Sequence, residues 1–313
     1  MINKVIDAIK AAEAEGLLSA DADGILTGFS GKKLVGALQR IASLFAEQAG
    51  VCYLEVGVFQ GLTLLSVASA CRSLPSYGID NFAFFDPEGK NLAIIKDRMA
   101  QLNVQNAVLI NKDYEDALET LSTEIGDRKV ALYLVDGPHD YRSQLMCLEL
   151  VIPYLHQQAV IVVDDSNYRH VRQANRDFLV THPEFKLAFE AYSACHPVNA
   201  SAVQQQESRN GWWNGVNIIV RDLEQLLPPM YPPTERDRKL FENEHIVHAA
   251  AMAEYAPEAV GLLSRTDVVR FLASAVRLYT QVRNSRLHKN ARHNNMNTYS
   301  MELPKARYNS LVK

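Results

Sequence analysis

Short apolar runs alternate with amphipathic stretches through the middle of the chain. Five apolar runs have the length of β-strands, and a stretch with helical spacing follows each of the first four. Continuous apolar strands that alternate with helices are typical of a parallel sheet covered on both faces. The predicted strands begin near Val51, Ser76, Ala107, Val130 and Ala159.

Two further helices precede this alternating region. The first has Ile2, Val5, Ile6 and Ile9 at helical spacing, and the second is predicted to begin at Ser30 as its N-cap. After the fifth strand, residues 187–193 and 215–222 follow without a clear helix between them, which indicates a closing pair of strands.

Four prolines between Leu226 and Asp237 end any regular element at that point. A helical pattern follows, with Ser264 and Asp267 in capping-box positions, and little order is expected beyond about Leu287. We therefore predict N-terminal helices over residues 1–50, an α/β domain over 51–225, and a helical extension with a basic tail over 226–313. The apolar positions of the last helix are Val268, Leu272, Ala275, Tyr279 and Val282.

Two glycines bracket the turn after the first strand. Gly57 and Gly61 let the backbone approach a ligand closely, and Asp80 ends the second strand, where an acid can accept hydrogen bonds from ribose hydroxyls. A dinucleotide site needs a glycine where this chain has Phe59. Glu55 would repel a pyrophosphate but suits a cofactor with an ammonium and a sulfonium group. The turn therefore favours S-adenosylmethionine (SAM) over NAD.

Three carboxylates and a histidine follow the fourth and fifth strands. Asp136, Asp164 and Asp165 should converge at the carboxyl edge of the sheet, where they repel each other unless protonated or bridged by a cation. Such oxygen ligands suit Mg²⁺, Ca²⁺ or Mn²⁺, so we predict a divalent metal, Mg²⁺ first, held by these three acids. His139 is a candidate general base, although Pro138 stiffens its loop.

Simpler roles remain open for these residues. Asp136 and Asp165 are also placed to cap the helices that follow them, and His139 to be a surface residue. Trp212 and Trp213 either wall an acceptor pocket or pack at the sheet edge.

Four segments, in order and spacing, carry a resemblance to a known family: YLEVGVFQGLTLLSVA, YGID, LVDGPHDYRSQLMCLELVIPYL and AVIVVDDSN. The chain resembles the class I SAM-dependent methyltransferases, in particular the macrocin-type sugar O-methyltransferases and, more distantly, the catechol O-methyltransferases. The resemblance implies a Rossmann-like, seven-stranded, mostly parallel sheet whose last strand is antiparallel. It also implies that Glu55 to Gly61 cradle the methionine part, Asp80 holds the ribose, and Asp113 lies near the adenine.

By the same resemblance, the acids after the fourth and fifth strands hold a metal that binds the acceptor hydroxyl, with Asp136 also bordering the cofactor. We therefore expect a SAM-dependent O-methyltransferase that acts on a hydroxyl of a small molecule, a sugar-bearing or phenolic natural product. The alternatives are a metal-independent O- or N-methyltransferase and a SAM-binding subunit without turnover.

Composition and charge predict where the protein is located and what it binds. The chain is 48% hydrophobic, lacks an apolar run of membrane-spanning length or a signal-peptide pattern, and scatters its four cysteines, which favours the cytoplasm. From Arg265 onward, ten Lys and Arg face two Asp and Glu, a balance of +8 that leaves −12 for the preceding residues. We expect the basic helix to pack on another subunit or over the acceptor cleft, in a homo-oligomer, and without a recognisable motif we expect no nucleic acid or membrane partner.

The cofactor assignment predicts a ligand-specific thermal shift. SAM and its demethylated product should raise the melting temperature, because ligands that bind only the native state stabilise it. Asp80→Ala should remove most of the shift. Differential scanning fluorimetry with SAM and NAD side by side decides the assignment, and a shift with NAD alone would refute it.

Overall fold

Eight strands form one mixed sheet in the computed structural model of the chain, in the order β3-β2-β1-β4-β5-β7-β6-β8. The structure describes residues 1–20, 22, 24–83, 85–86, 88–193, 196–197, 200–234, 262, 268–294 and 303–311. The strands are β1 (Val51–Val56), β2 (Ser76–Ile79), β3 (Ala107–Ile110), β4 (Lys129–Val135), β5 (Leu155–Val163), β6 (Phe185–Ala191), β7 (Val216–Arg221) and β8 (Ala306–Tyr308).

Helices lie between most of the strands and before the first one. They are α1 (Ile2–Glu15), α2 (Lys32–Ser43), α3 (Leu62–Ala70), α4 (Asn91–Gln101), α5 (Tyr114–Glu119), α6 (Ser122–Ile125), α7 (Tyr141–Val151), α8 (Arg169–Thr181), α9 (Ala202–Asn210) and α10 (Val268–Asn294), with a 3₁₀ turn at Ile152–Tyr154. No described helix is both long enough and apolar enough to cross a lipid bilayer.

The predicted Rossmann-like arrangement is confirmed. Strands β1 to β5 pair in parallel, and β7 lies antiparallel between β5 and β6. The strand order reverses between β1 and β4, and ligands of such open sheets bind beyond the carboxyl ends of the strands at this switch point. The eighth strand, β8, adds to β6 at the sheet edge and was not indicated by the sequence pattern.

Apolar side chains form a core on each face of the sheet. Val5, Ile9, Leu34 and Leu38 of the N-terminal helices share one core with α3 and the sheet, so α1 and α2 are part of the same packed body. The other core lies between the sheet and the helices α5 to α8. Both faces are thus covered, as the continuous apolar strands require.

Three local predictions were wrong. Order extends beyond Leu287, because α10 continues to Asn294 and β8 pairs with β6. Helix α2 has Gly31 as its N-cap with no side-chain cap, and the Ser30 hydroxyl donates to Asp164 instead. The closing strands are separated by a helix, α9, whose capping box is formed by Ser201 and Gln204. The S-x-x-Q pattern signals this helix start in the sequence.

The helix predicted from Val268 onward is present as α10. Its predicted capping residues, Ser264 and Asp267, lie outside the described residues. Its side chains at Val268, Leu272, Val276 and Tyr279 are exposed.

Strand β8 is fastened to the body by side chains as well as by its backbone. The Tyr308 ring lies 4.6 Å from the ring of Phe189, and its hydroxyl donates to Glu13. Arg307 pairs with the buried carboxylate of Glu190. β8 thus covers part of the longer edge strand β6 and leaves a three-residue strand at the edge, and short edge strands discourage pairing with other chains.

Asn309, directly after β8, makes a testable contribution to stability. Its buried Nδ2 donates to the carbonyl oxygens of Leu187 and Pro228 at 2.8 and 2.9 Å. Asn309→Ala should cost about 1–3 kcal/mol of unfolding free energy, because it leaves buried carbonyls unsatisfied. Ser310→Ala, at the exposed next position, should stay within about 0.5 kcal/mol of the wild type. Denaturant unfolding measures both, and equal stabilities of the two variants would contradict this anchoring role.

Candidate active site

The turn between β1 and α3 lies directly against the end of β4. Gly57 has a φ of +88°, and a Cβ on it would lie 1.8 Å from the carbonyl oxygen of Asp136. Gly61, with a φ of +82°, is the N-cap of α3. A side chain at either position would strain the backbone, and at Gly57 it would also separate the turn from β4.

Asp80 shapes this turn from the end of β2. Its Oδ2 accepts hydrogen bonds from the backbone amides of Val58 and Phe59, both at 2.9 Å. Its Oδ1 accepts from the amide of Phe82 at 2.7 Å. The carboxylate therefore fixes the cradle, and its predicted contact with ribose hydroxyls stays a prediction.

Glu55 is fully buried in β1, two residues before Gly57. Its Oε2 accepts a hydrogen bond from the Tyr53 hydroxyl at 2.5 Å, and no described residue hydrogen-bonds to Oε1. Burial raises the pKa of Glu55 to about 8, although the side chains of Tyr53 and Thr63 oppose the rise. Since an unsatisfied buried acceptor is costly, this oxygen fits a donor or cation from a ligand.

Asp136, His139 and Asp165 converge beside the turn. Each offers one ligand atom, and these atoms all lie within 4.8 Å of one another. Nε2 of His139 lies 2.8 Å from Oδ2 of Asp165 and 3.9 Å from Oδ1 of Asp136. The sequence prediction of acids that meet at this sheet edge thus holds for Asp136 and Asp165, with His139 as the third member.

Neighbouring side chains hold the cluster in place. Asn214 Nδ2 donates to Oδ1 of Asp165 at 2.7 Å, and Asp165 has a φ of +53°. The Tyr168 ring stacks on the His139 ring with centroids 5.1 Å apart, and its hydroxyl lies 3.1 Å from Nε2 of His196. These contacts fix the orientations of the imidazole and the carboxylate.

The cluster perturbs the pKa of each member. Burial opposes the charged form of His139, but the Asp165 and Asp136 carboxylates outweigh it and raise its pKa to about 10. Burial would also raise the pKa of Asp165, but the His139 charge and the Asn214 hydrogen bond hold it below its ordinary value. Burial raises the pKa of Asp136 to about 6, against the effect of the His139 side chain 3.9 Å away. At neutral pH the histidine is thus a cation that neutralises its neighbours.

Asp164 lies outside this trio. Its Oδ2 accepts from the Ser30 hydroxyl at 3.2 Å, and its Oδ1 accepts from the amide of Asp165 at 2.8 Å. Burial and the charges of Asp136 and Asp165 raise the pKa of Asp164 well above its ordinary value. It supports the loop of Asp165.

Helix capping does not account for Asp136 and Asp165. Helix α7 is capped by Asp140, which accepts from the amide of Ser143, and α8 has Tyr168 as an N-cap without a side-chain hydrogen bond. Asp113, by contrast, is exposed and caps α5 by accepting from the amide of Glu115 at 2.9 Å. Its predicted place near an adenine stays a prediction.

The two tryptophans have different surroundings. Trp212 is buried, packs 5.0 Å from Phe189, and donates to Glu13 at 3.4 Å. Trp213 instead lies 6.2 Å from the ring of Phe29, between ring centroids. Edge packing therefore describes Trp212 alone.

Ser30 and Asn214 are site residues that the sequence reasoning missed. Asn214 precedes β7, and because β7 is antiparallel, its first residues lie at the edge where β4 and β5 end. A polar residue just before that strand is a usable signal. Nothing in the local pattern links Ser30 to Asp164, 134 residues away.

Comparison with known proteins gives one sequence match. Residues 54–166 match the family model described as a methyltransferase domain. No curated protein sequence matches the chain significantly.

Solved structures with a similar fold include O-methyltransferases. One from Bacillus cereus in complex with SAH is 13% identical, with a TM-score of 0.43 over 70% of this chain and 90% of that chain. TomG from Streptomyces achromogenes, involved in tomaymycin synthesis and solved with SAM, is 14% identical, with a TM-score of 0.43 and the same coverages. CalS11, the TDP-rhamnose 3'-O-methyltransferase of calicheamicin biosynthesis, is 15% identical, with a TM-score of 0.40 over 56% and 85% of the two chains. Likenesses this distant do not identify an acceptor.

The sheet order places the switch point between β1 and β4, and the glycine turn and Asp80 shape a cradle there. The matched segment begins in β1 and ends just beyond the acids that follow β5. The segment that resembles a methyltransferase domain therefore contains the switch point, the glycine turn and the acid cluster.

Proposed function

We propose that the protein is a SAM-dependent O-methyltransferase that acts on a hydroxyl of a small molecule, a sugar-bearing or phenolic natural product, with help from a divalent metal. The observation that carries the proposal is the contact between the cofactor turn and the acid cluster. Gly57 lies against the carbonyl of Asp136, whose carboxyl group belongs to the cluster with His139 and Asp165. A methyl donor in the turn and an oxygen nucleophile at the acids would therefore be neighbours.

The residues of the cradle fit SAM. SAM would supply a methyl group to the acceptor oxygen, and S-adenosylhomocysteine and the proton of the acceptor hydroxyl would be the other products. Glu55 offers a buried acceptor without a partner among the described residues, which suits the cationic methionine part. Asp80 retains a half-buried carboxylate at the end of β2, where ribose hydroxyls bind in this fold.

The acid cluster fits a divalent metal. Asp136 and Asp165 supply carboxylate oxygens, and His139 supplies a ring nitrogen that must lose its proton to become a ligand. A bound cation would lower the pKa of the acceptor hydroxyl and orient its oxygen. The two carboxylates suit Mg²⁺ or Mn²⁺, and the imidazole extends the choice of metal to ions such as Fe²⁺ and Zn²⁺. Asp164, the third acid of the sequence prediction, adjoins this set through the Asp165 amide.

A metal-independent methyltransferase is the second candidate, and the state of His139 favours it. With its pKa raised to about 10, the protonated imidazole already places a positive charge 2.8 Å from Asp165 and 3.9 Å from Asp136. In this form His139 cannot accept a proton near neutral pH. Asp136, whose pKa burial raises toward the neutral range, would take the hydroxyl proton instead.

Glu55 predicts a pH dependence of SAM affinity. Below pH 8 its carboxyl group is mostly protonated, and a cationic ligand favours the ionised form, so binding must release a proton. The association constant should therefore rise with pH, by up to about tenfold per unit, and level off above about pH 8. Isothermal titration calorimetry from pH 6 to 9 measures this slope.

Glu55→Gln is the control for that titration. The groups of SAM itself titrate equally with both proteins, so the difference between the two slopes isolates Glu55. The variant should bind SAM more weakly and with a flatter pH profile. Parallel profiles would show that Glu55 does not respond to the cofactor.

The metal proposal predicts a separation of turnover from cofactor binding. EDTA should abolish methylation, and added Mg²⁺ or Mn²⁺ should restore it, while the SAM thermal shift persists. Asp165→Asn should likewise keep the shift and lose turnover by roughly 10²-fold or more, because several kcal/mol of charge stabilisation are removed. Asp7→Asn, an exposed acid on α1, is the matched control.

Asp164→Asn distinguishes the two ligand sets. If Asp164 is a ligand, as the sequence predicted, its loss should equal that of Asp165→Asn. If it only supports the loop by accepting from Ser30 and from the Asp165 amide, the Asn side chain should replace it at a small cost in activity. Full activity in EDTA with a metal-free protein would instead favour the metal-independent candidate.

A further inference from the structure

Three aromatic rings from distant segments meet beside the candidate active site. The Phe29 ring lies 5.1 Å from that of Phe59 and 6.2 Å from that of Trp213, at interplanar angles of 30° and 39°. These distances are those of stacked and tilted aromatic pairs. Phe29 precedes α2, Phe59 belongs to the cofactor turn, and Trp213 precedes β7, so the cluster joins three parts of the fold.

Each ring is tied to the reacting groups through its own backbone or its immediate neighbour. Ser30, next to Phe29, donates to Asp164, and Asn214, next to Trp213, donates to Asp165. The amide of Phe59 donates to Asp80. The rings therefore border both the acid cluster and the cofactor cradle.

Backbone conformation indicates that two of these rings are held there for a reason other than folding. Phe59 has a φ of +49° and Trp213 a φ of +52°. Bulky residues rarely adopt this left-handed region, which glycine enters without strain. Such strained residues concentrate at ligand sites, where the surrounding structure maintains them. A large aromatic ring at each of these strained positions therefore indicates that the ring contacts a ligand.

The cluster also presents an open apolar surface. Phe29 is 58% exposed although it is a large aromatic residue in contact with two others. Trp212 provides the contrast within the same turn, because it is 8% exposed and packed against Phe189. Burial of Phe29 against a ligand would remove this exposed ring from water.

The polar groups around the rings are already paired with one another. Thr27 accepts through both its hydroxyl and its carbonyl from Arg98, and the Gln60 amide group donates to Asn91. The Ser30 hydroxyl donates to Asp164. A sugar needs partners for its hydroxyls, whereas a flat aromatic ring needs only stacking surfaces, so the surroundings favour the aromatic ring.

We infer that Phe29, Phe59 and Trp213 form a stacking subsite for a planar aromatic acceptor, whose hydroxyl points to Asp136 and Asp165. This inference rests on the proposed O-methyltransferase function and narrows its acceptor from sugar-bearing or phenolic molecules to phenolic ones. Phe29 is its most accessible member, and its described ring contacts are with Phe59 of the cofactor turn and with Trp213.

The test compares ligand binding to the SAH-loaded protein. Catechol and 2,3-dihydroxynaphthalene are the aromatic probes, and methyl glucoside and methyl rhamnoside are the sugar probes, with affinities measured by calorimetry. The aromatic probes should bind more tightly than the sugars. Phe29→Ala should weaken the aromatic probes about tenfold, the effect of one lost ring contact with its buried area, and Phe29→Tyr should restore them.

Leu223→Ala is the matched control, because Leu223 is a similarly exposed apolar residue just after β7, at the opposite edge of the sheet. It should leave all affinities unchanged. Equal affinities for wild type and Phe29→Ala, tighter binding of the sugars, or no binding of either aromatic probe would overturn the subsite. The SAM thermal shift, recorded on every variant, separates the two failures: its absence in the wild type refutes the methyltransferase proposal, whereas its presence with any of these outcomes refutes the subsite alone.

Discussion

The site depends on one close approach, that of Gly57 to the carbonyl of Asp136. With a Cβ at Gly57 only 1.8 Å from that oxygen, any other residue would force the turn after β1 away from the end of β4. Because Gly57 lets the two backbone segments pack together, the cradle that Asp80 shapes lies next to the acid cluster. Any chemistry that uses the cradle and the acid cluster together therefore requires this contact.

The second requirement of the site is that the charges of its buried carboxylates are compensated. Two carboxylates in a mostly buried place are costly unless a cation compensates them. His139 supplies that cation from within the chain, and Tyr168 holds its ring in position. The same geometry would allow a metal ion to replace the proton of His139 as the positive charge between the carboxylates, with release of that proton.

Much of the fold was predictable from the sequence, because apolar strands at regular intervals report a covered parallel sheet directly. The meeting of Asp136 and Asp165 followed from topology alone, since both end neighbouring strands. The sequence did not predict that the third member of the cluster is His139 and not Asp164. Successive residues at a strand end point to different sides, so the conformation of the loop decides which of the two neighbouring acids faces His139. Here Asp165 does so, with a φ of +53°. Contacts between remote segments, such as Ser30 with Asp164 and β8 with β6, leave no local sequence pattern, so only the structure reveals them.

Strand β8 brings together two parts of the chain that are far apart in sequence. The Pro233 carbonyl accepts a hydrogen bond from Arg172, and Arg307 of β8 donates to the carbonyl of Tyr231, 76 residues earlier. The backbone just before residue 235 and the backbone of β8 therefore lie side by side. New termini opened between residues 234 and 303, as in a circular permutation, would keep all eight strands in one chain, whereas ending the chain at residue 234 would remove the last strand of the sheet.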